Sequence, residues 1–96
     1  MAGVRVALAT VDLHLSGVGS LKEKRHVLKG LKEKVRNRFE VAVAEVDHHD
    51  SWQRATIALV SISHDSRHAN EVVSKAAGFV ESLVDGHVID LRIEIL

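Results

Sequence analysis

The sequence contains no cysteine and no proline, and only three of its 96 residues are aromatic. Without cysteine the protein can form no disulfide and no cysteine-based zinc site, and it has no thiolate nucleophile. Because Phe39, Trp52 and Phe79 are the only aromatic residues, the core has to be built from Val, Ile, Leu and Ala. The lack of cysteine, together with few Asn, Gln and Met residues, is typical of a thermophile and compatible with a reducing cytoplasm.

Long apolar runs are also absent. No segment approaches the ~20 residues that a membrane-spanning helix needs. The apolar run of residues 4–11 is too short for the core of a signal peptide, and Asp12 and His14 follow it. We therefore expect no membrane segment and a cytoplasmic location. The length predicts a single domain that spans residues 1–96.

A basic amphipathic helix is the clearest pattern in the chain. Ser20 followed by Glu23 is a capping box, which predicts that a helix begins there and runs to Phe39. Apolar residues recur along it at steps of three and four, as expected for a helix with one buried face. They are Leu21, Val27, Leu28, Leu31, Val35 and Phe39.

The other side of this helix carries most of the positive charge of the chain. Eight cations and two glutamates give residues 20–39 a net charge of +6, whereas the whole chain has a net charge of zero. Such a concentration of cations is typical of a surface that contacts a phosphate backbone. The predicted nucleic-acid-binding residues are Lys22, Lys24, Arg25, Lys29, Lys32, Lys34, Arg36 and Arg38.

Four strands and a second helix complete the predicted order β-α-β-β-α-β. Strands are expected at residues 3–15, 40–47, 52–63 and 87–96, and the second helix from residue 65 or 66 to about residue 84. A change of alternation inside the first strand predicts a β-bulge near Thr10. This order favours a ferredoxin-like α+β fold, a four-stranded antiparallel sheet with both helices on one face.

One face of that sheet would be left without helices. Its expected residues include Arg5, Ala7, Ala9, Asp90, Arg92 and Glu94. The alternation in the second strand leaves open which set of residues lies there, Val41 and Val43 or Ala42, Ala44 and Val46. In either case aliphatic residues are exposed, which predicts docking of a partner or a homodimer. Ala7 and Ala44 are the predicted interface positions.

Three segments of the chain resemble the YlxP-like family, a bacterial family of unknown function. They are SLKEKRHVLKGLKEKVRNRF at residues 20–39, EVAVAEVD at residues 40–47 and WQRATIALVSIS at residues 52–63. The resemblance covers nearly the whole chain and implies a ferredoxin-like fold. Genes of this family often lie near those of a translation initiation factor and a ribosome-binding factor, which implies a role near the ribosome or RNA. No catalytic residues come with the family.

Two functions are therefore open. The first is a non-catalytic factor that binds RNA or the ribosome through the basic helix. The alternative is an interaction or assembly module that uses the bare sheet face. Base stacking on the sheet is not favoured, because its strands offer aliphatic side chains and Trp52 stands alone. A basic helix face that is merely solvated, or neutralised by acids, would explain the charge without any partner.

Neither a metal site nor an enzyme is favoured by the sequence. His48 and His49 lie in a predicted turn, and His64 and His68 lie four residues apart around the start of the second helix. Exposed histidines that titrate near neutral pH explain this pattern, although zinc stays a minor alternative. Residues 17–20 lack the spacing of a phosphate-binding loop, and a loop followed by a helix cap explains them. No cofactor is expected.

The last prediction concerns Glu45, which interrupts an apolar strand. A carboxylate in that position should be exposed or paired. Because Trp52 and Arg54 follow across the predicted hairpin, we expect an ion pair between Glu45 and Arg54 beside Trp52, with a structural role or a place at an oligomer interface.

Overall fold

Six elements follow one another in the predicted order, in a computed structural model that describes residues 3–96. They are β1 Arg5–Leu15, α1 Leu21–Arg38, β2 Ala42–Asp47, β3 Arg54–Ser63, α2 Ser66–Leu83 and β4 Gly86–Ile95. The four strands form one antiparallel sheet in the order β2-β3-β1-β4. The predicted ferredoxin-like α+β fold is therefore confirmed.

Both helices begin at side-chain caps. The Glu23 amide donates to Ser20 Oγ at 3.1 Å, as predicted, and the Glu23 carboxylate accepts at 2.8 Å from the amide of Gly19, one residue before the N-cap amide that a standard capping box uses. At α2 the Arg67 amide donates to the Asp65 carboxylate at 3.0 Å. Within residues 3–96, neither helix combines the length and the apolar character that crossing a bilayer requires.

The core lies between the sheet and the two helices. β1 contributes every second residue from Ala7 to Leu15, and none of these is more than 1% exposed. α2 packs on β1 and β3 through Val73, Val80 and two small residues, Ala69 and Ala76. Small side chains on the strand and on the helix allow the two backbones to approach closely, and this fixes which face of β1 is buried.

The predicted bulge near Thr10 is wrong. The buried residues of β1 keep one parity throughout, so Ala7 and Ala9 lie beneath the helices and not on the bare face. The register shift falls instead between Asp12 and Leu13 in the pairing with β4, where Ile89 is the extra residue. Ala7 is therefore unsuited to the interface role predicted for it.

The open face of the sheet is divided into an apolar and a polar half. Ala42 and Ala44 are exposed on this face, while Val43 points into the core. Of the two alternatives left open by the sequence for β2, the alanines therefore lie on the open face. Opposite them lie the apolar residues of β3 and β1, and the polar half lies toward β4. The apolar residues are Val6, Leu8, Ala58, Val60 and Ile62, and the charged residues of β4 are Asp90, Arg92 and Glu94.

Candidate nucleic-acid interface

Five cations of α1 form one row along the helix. They are Lys22, Arg25, Lys29, Lys32 and Arg36, named here the basic row. Their alternating steps of three and four residues place them on a single face. At a rise of 1.5 Å per residue the row is about 21 Å long. It flanks the β2 side of the helix, because the Arg36 guanidinium reaches the Val43 carbonyl oxygen at 3.4 Å.

The positive charge of the basic row is not neutralised by neighbouring acids. Lys32 is partly exposed, and the other four residues are exposed. In the described part of the chain, no carboxylate lies within the 4.0 Å of an ion pair from any of the five. Of the two glutamates of the helix, Glu23 is turned back to its own cap, and Glu33 forms no ion pair with any residue from 3 to 96. In the described residues the row therefore presents cationic groups without an acidic partner, of which the Arg36 guanidinium also donates to the Val43 carbonyl oxygen.

Lys24 does not belong to this surface. Its side chain is 1% exposed, so the prediction that it contacts nucleic acid needs correction. It occupies the same helical face as Leu28, Leu31 and Val35, at steps of four and three. That spacing was visible in the sequence and could have separated Lys24 from the exposed cations.

The Lys24 ammonium group is enclosed by three oxygen atoms. It donates to the carbonyl oxygens of His48 at 2.6 Å and Ser51 at 2.5 Å, and it lies 2.8 Å from Glu45 Oε2. The contact with Glu45 is a charge contact without hydrogen-bond geometry, since Oε2 is buried and has no hydrogen-bond partner within residues 3–96. Lys24 thus fastens the turn between β2 and β3 to the first turns of α1.

The predicted ion pair between Glu45 and Arg54 is wrong. Glu45 lies opposite Ile57 and faces the helices, where it meets Lys24. Arg54 lies on the open face and binds Asp12, with 2.6 Å between Nη2 and Oδ2. Trp52 is 49% exposed and lies outside the strands, so it neither covers an ion pair nor joins a stacking surface on the sheet.

The two remaining cations of α1 lie away from the basic row. Arg38 points toward α2, with its guanidinium carbon 4.7 Å from the centre of the Phe79 ring and 5.8 Å from that of Phe39. In this position the positive charge of Arg38 interacts with aromatic rings of the protein itself. Lys34 is exposed, but the helical spacing places it on a different side of α1 from the row. Of the eight predicted cations, five thus form one continuous surface.

Among the described residues, Asp12 and Arg54 form the shortest ion pair of the open face, at 2.6 Å. The hydrogen bonds from Arg54, assisted by the charges of Arg54 and His48 and by Thr56, outweigh partial burial and hold the pKa of Asp12 below its ordinary value of 3.8. The same contact raises the pKa of Arg54. This pair joins β1 to β3 on the open face at the end where β3 begins.

The Asp12–Arg54 pair predicts an acid-dependent contribution to stability. Because folding lowers the pKa of Asp12, the stabilisation is present above its unfolded pKa and is lost as the pH falls through the folded value. We expect Asp12→Asn to destabilise the protein at pH 7 and the difference from wild type to shrink below about pH 4. Denaturant titrations over this pH range measure it, with Asp50→Asn in the exposed turn as the control. A difference that is constant down to the lowest pH would contradict the assignment.

The histidines are dispersed. His48 and His49 lie in the turn after β2, with φ of 62° at His48, and His64 precedes α2 as expected. On the open face, the rings of His14 and His87 lie 5.1 Å apart. In the part of the chain that the structure describes, no three His, Asp or Glu side chains are grouped closely enough to hold a metal ion.

Known proteins resemble the chain in sequence and in fold. The family described as "Protein of unknown function (DUF503)" matches residues 6–93. The uncharacterized protein YlxP of Bacillus subtilis (strain 168) is 30% identical over 77 residues, which cover 80% of this chain and 84% of that protein. The resemblance to the YlxP-like family is therefore confirmed.

Two solved structures support the fold. The de novo designed protein Foldit4 superposes with a TM-score of 0.54 at 10% identity, covering 97% of this chain and 96% of its own. Protein YjcS gives a TM-score of 0.50 at 18% identity, covering 93% of this chain and 96% of its own. At these identities the likeness concerns the arrangement of helices and strands alone.

Proposed function

We propose that this chain, which belongs to the DUF503 family, is a non-catalytic RNA- or ribosome-associated factor that binds phosphate groups along the basic row. The observation that carries the proposal is the row itself, five cations on one helical face without an acidic partner in the described residues. In a chain of zero net charge, such a concentration is a local attractive surface and not a general excess of positive charge.

The geometry of the row favours a polyanion over a small anion. Its length of about 21 Å spans several phosphates of a nucleic-acid strand. Binding would release the counterions condensed on those phosphates, so affinity should fall steeply with salt. Long side chains in water adapt to irregular phosphate positions, which suits structured RNA.

Recognition of individual bases is not part of the proposal. Sheets that read single-stranded RNA stack bases on aromatic side chains of their central strands. Here the central strands present Leu8, Thr10, Ala58 and Val60 on the open face. We therefore expect binding that depends on backbone and shape and only weakly on sequence.

The decisive variant replaces Lys29, Lys32 and Arg36 with Gln. If each of these cations contacts one phosphate of a duplex stem, the slope of log affinity against log salt should decrease by about 0.9 per residue, or about 3 for the triple variant. At low salt the affinity should fall at least about tenfold. Fluorescence anisotropy with a labelled RNA hairpin, and co-sedimentation with purified ribosomes, measure these changes over a salt series.

A control with the same change of net charge tests whether position matters. Lys34→Gln, Arg67→Gln and Lys75→Gln remove three exposed cations outside the row. This control should retain most of the affinity. Equal losses in both triple variants would indicate a response to net charge alone, and an unchanged slope in the row variant would overturn the proposal.

A second candidate function is an interaction module on the open face. The observation that favours it is the exposed apolar half of the sheet, where Ile62 is 71% exposed and Ala42 and Ala44 are exposed on the same face. Ala44→Asp places a charge there without changing α1. Intact RNA binding in this variant together with loss of a protein partner would favour the second candidate.

A further inference from the structure

β4 is an edge strand whose outer backbone groups have no partner in the described chain. The Leu96 amide donates to the Val6 carbonyl oxygen at 2.8 Å, which fixes the phase of the hydrogen bonds between β1 and β4. In an antiparallel pair the bonded residues alternate. The amide and carbonyl groups of Leu91, Ile93 and Ile95 therefore point away from β1, toward the free edge.

The side chains of the same three residues are exposed on the helix face of the sheet. Leu91 is 46%, Ile93 38% and Ile95 46% exposed, whereas Val11 and Ala9 of β1, the register partners of Leu91 and Ile93, are at most 1% exposed. α2 thus covers β1 but leaves the outer flank of β4 uncovered. A ten-residue edge strand without proline and with an apolar flank is a template for pairing with another strand.

The charged residues of β4 favour a second β4 strand as the partner of this edge. Asp90, Arg92 and Glu94 alternate with the apolar residues and lie on the open face. In an antiparallel pairing of two β4 strands centred on Ile93, Arg92 of each copy lies opposite Glu94 of the other. A register centred on Arg92 instead places two arginines opposite each other, which is unfavourable.

We propose that β4 pairs with β4 of a second copy of this chain, antiparallel about a two-fold axis at Ile93, so that two sheets become one. In this register Ile93 meets its own symmetry mate, and Leu91 meets Ile95 twice on the helix face. Two ion pairs between Arg92 and Glu94 form on the open face. The outward backbone groups of the three apolar residues exchange hydrogen bonds, as a two-fold axis at Ile93 requires.

Two neighbouring features are compatible with this pairing. Arg92 Nε contacts Asp90 of its own strand at 3.0 Å, and the other nitrogen atoms of the guanidinium have no such contact in the described chain. On α2 the flank away from α1 carries the short side chains of Asn70, Ser74 and Ala77, and nearer the end of the helix Glu81. The part of this flank formed by Asn70, Ser74 and Ala77 holds no large side chain.

Charge reversal tests the partner and the register together. Arg92→Glu or Glu94→Arg alone places like charges opposite each other across the axis, and each should shift the protein to the monomer in analytical ultracentrifugation over a concentration series. The double variant Arg92→Glu/Glu94→Arg restores opposite charges and should recover the dimer. An arrangement centred on Leu91 pairs Asp90 with Arg92 and would not be rescued in this way.

A second measurement does not depend on charge. Ile93→Pro removes an amide that points away from β1, so it should abolish dimerisation while the fold keeps its circular dichroism spectrum. In the wild-type dimer the Ile93 amide should exchange with solvent more slowly than in the charge-reversed monomer. A monomeric wild type at every concentration, or a dimer that all of these variants leave intact, would overturn the proposal without affecting the RNA-binding proposal.

Discussion

Lys24→Met should lower the free energy of unfolding by about 3 kcal/mol or more, although it changes a single side chain of a highly charged helix. The substitution leaves the carboxylate of Glu45 without its counter-charge and leaves two turn carbonyl groups without the ammonium donor. Methionine fills most of the same volume, so the loss is electrostatic rather than a cavity. Urea denaturation followed by circular dichroism measures it.

Two further variants separate this effect from a general loss of charge. Lys29→Met removes an exposed cation of the same helix and should change stability by no more than about 0.5 kcal/mol. Lys24→Met/Glu45→Leu removes both charges and should recover part of the loss, because no buried charge is then unpaired. If Lys24→Met is as stable as Lys29→Met, the structural role assigned to Lys24 is wrong.

Gly86→Ala should destabilise the protein by about 3 kcal/mol or more, because the new methyl group would occupy the position of a neighbouring backbone. A Cβ at Gly86 would lie 1.8 Å from the carbonyl oxygen of His14, and φ at this residue is +158°. Relief requires the start of β4 to move away from β1. The adjacent turn is itself held to β1, because the Ser16 amide donates to the Asp85 carbonyl oxygen at 2.8 Å.

Gly30→Ala is the matched control for this prediction. Apart from its chain neighbours and the backbone of its own helix, no atom lies within 4 Å of a Cβ at Gly30, and the residue is inside α1. Alanine there should stabilise the protein by about 0.5–1 kcal/mol, because glycine is a poor helix former. Thermal denaturation should therefore move the two variants in opposite directions. A Gly86→Ala protein with the wild-type midpoint would show that the close approach is not maintained in solution.

The order of elements and the start of α1 were predictable because they depend on local chemistry. The capping box and the apolar steps define α1 within one residue of its observed ends. The face of β1 was not predictable in the same way. Val6 and Leu8 are more hydrophobic than Ala7 and Ala9, yet the smaller pair is buried, because a closely packed helix selects small side chains.

The partners of Glu45 and Arg54 could not be predicted from the sequence, for a different reason. Glu45 shares its side of β2 with the buried Val43 and lies opposite the buried Ile57, so it faces the helices, whereas Arg54 projects from the other face of the sheet. Because both sides of β2 carry aliphatic residues, alternation alone does not specify which side is buried. The register shift at Val46 comes after Glu45 and places Asp47 opposite Thr56.

The strand order separates the two surfaces for which a partner is proposed. α1 packs on the side of β2, at one edge of the sheet, and β4 forms the opposite edge. Two copies joined at β4 would therefore carry their basic rows on the helices above the outermost strands, which would lie about 34 Å apart at a strand spacing of about 4.8 Å. An RNA that reaches both ends would be held bivalently. A long or folded transcript should therefore bind more tightly than a short hairpin taken from it.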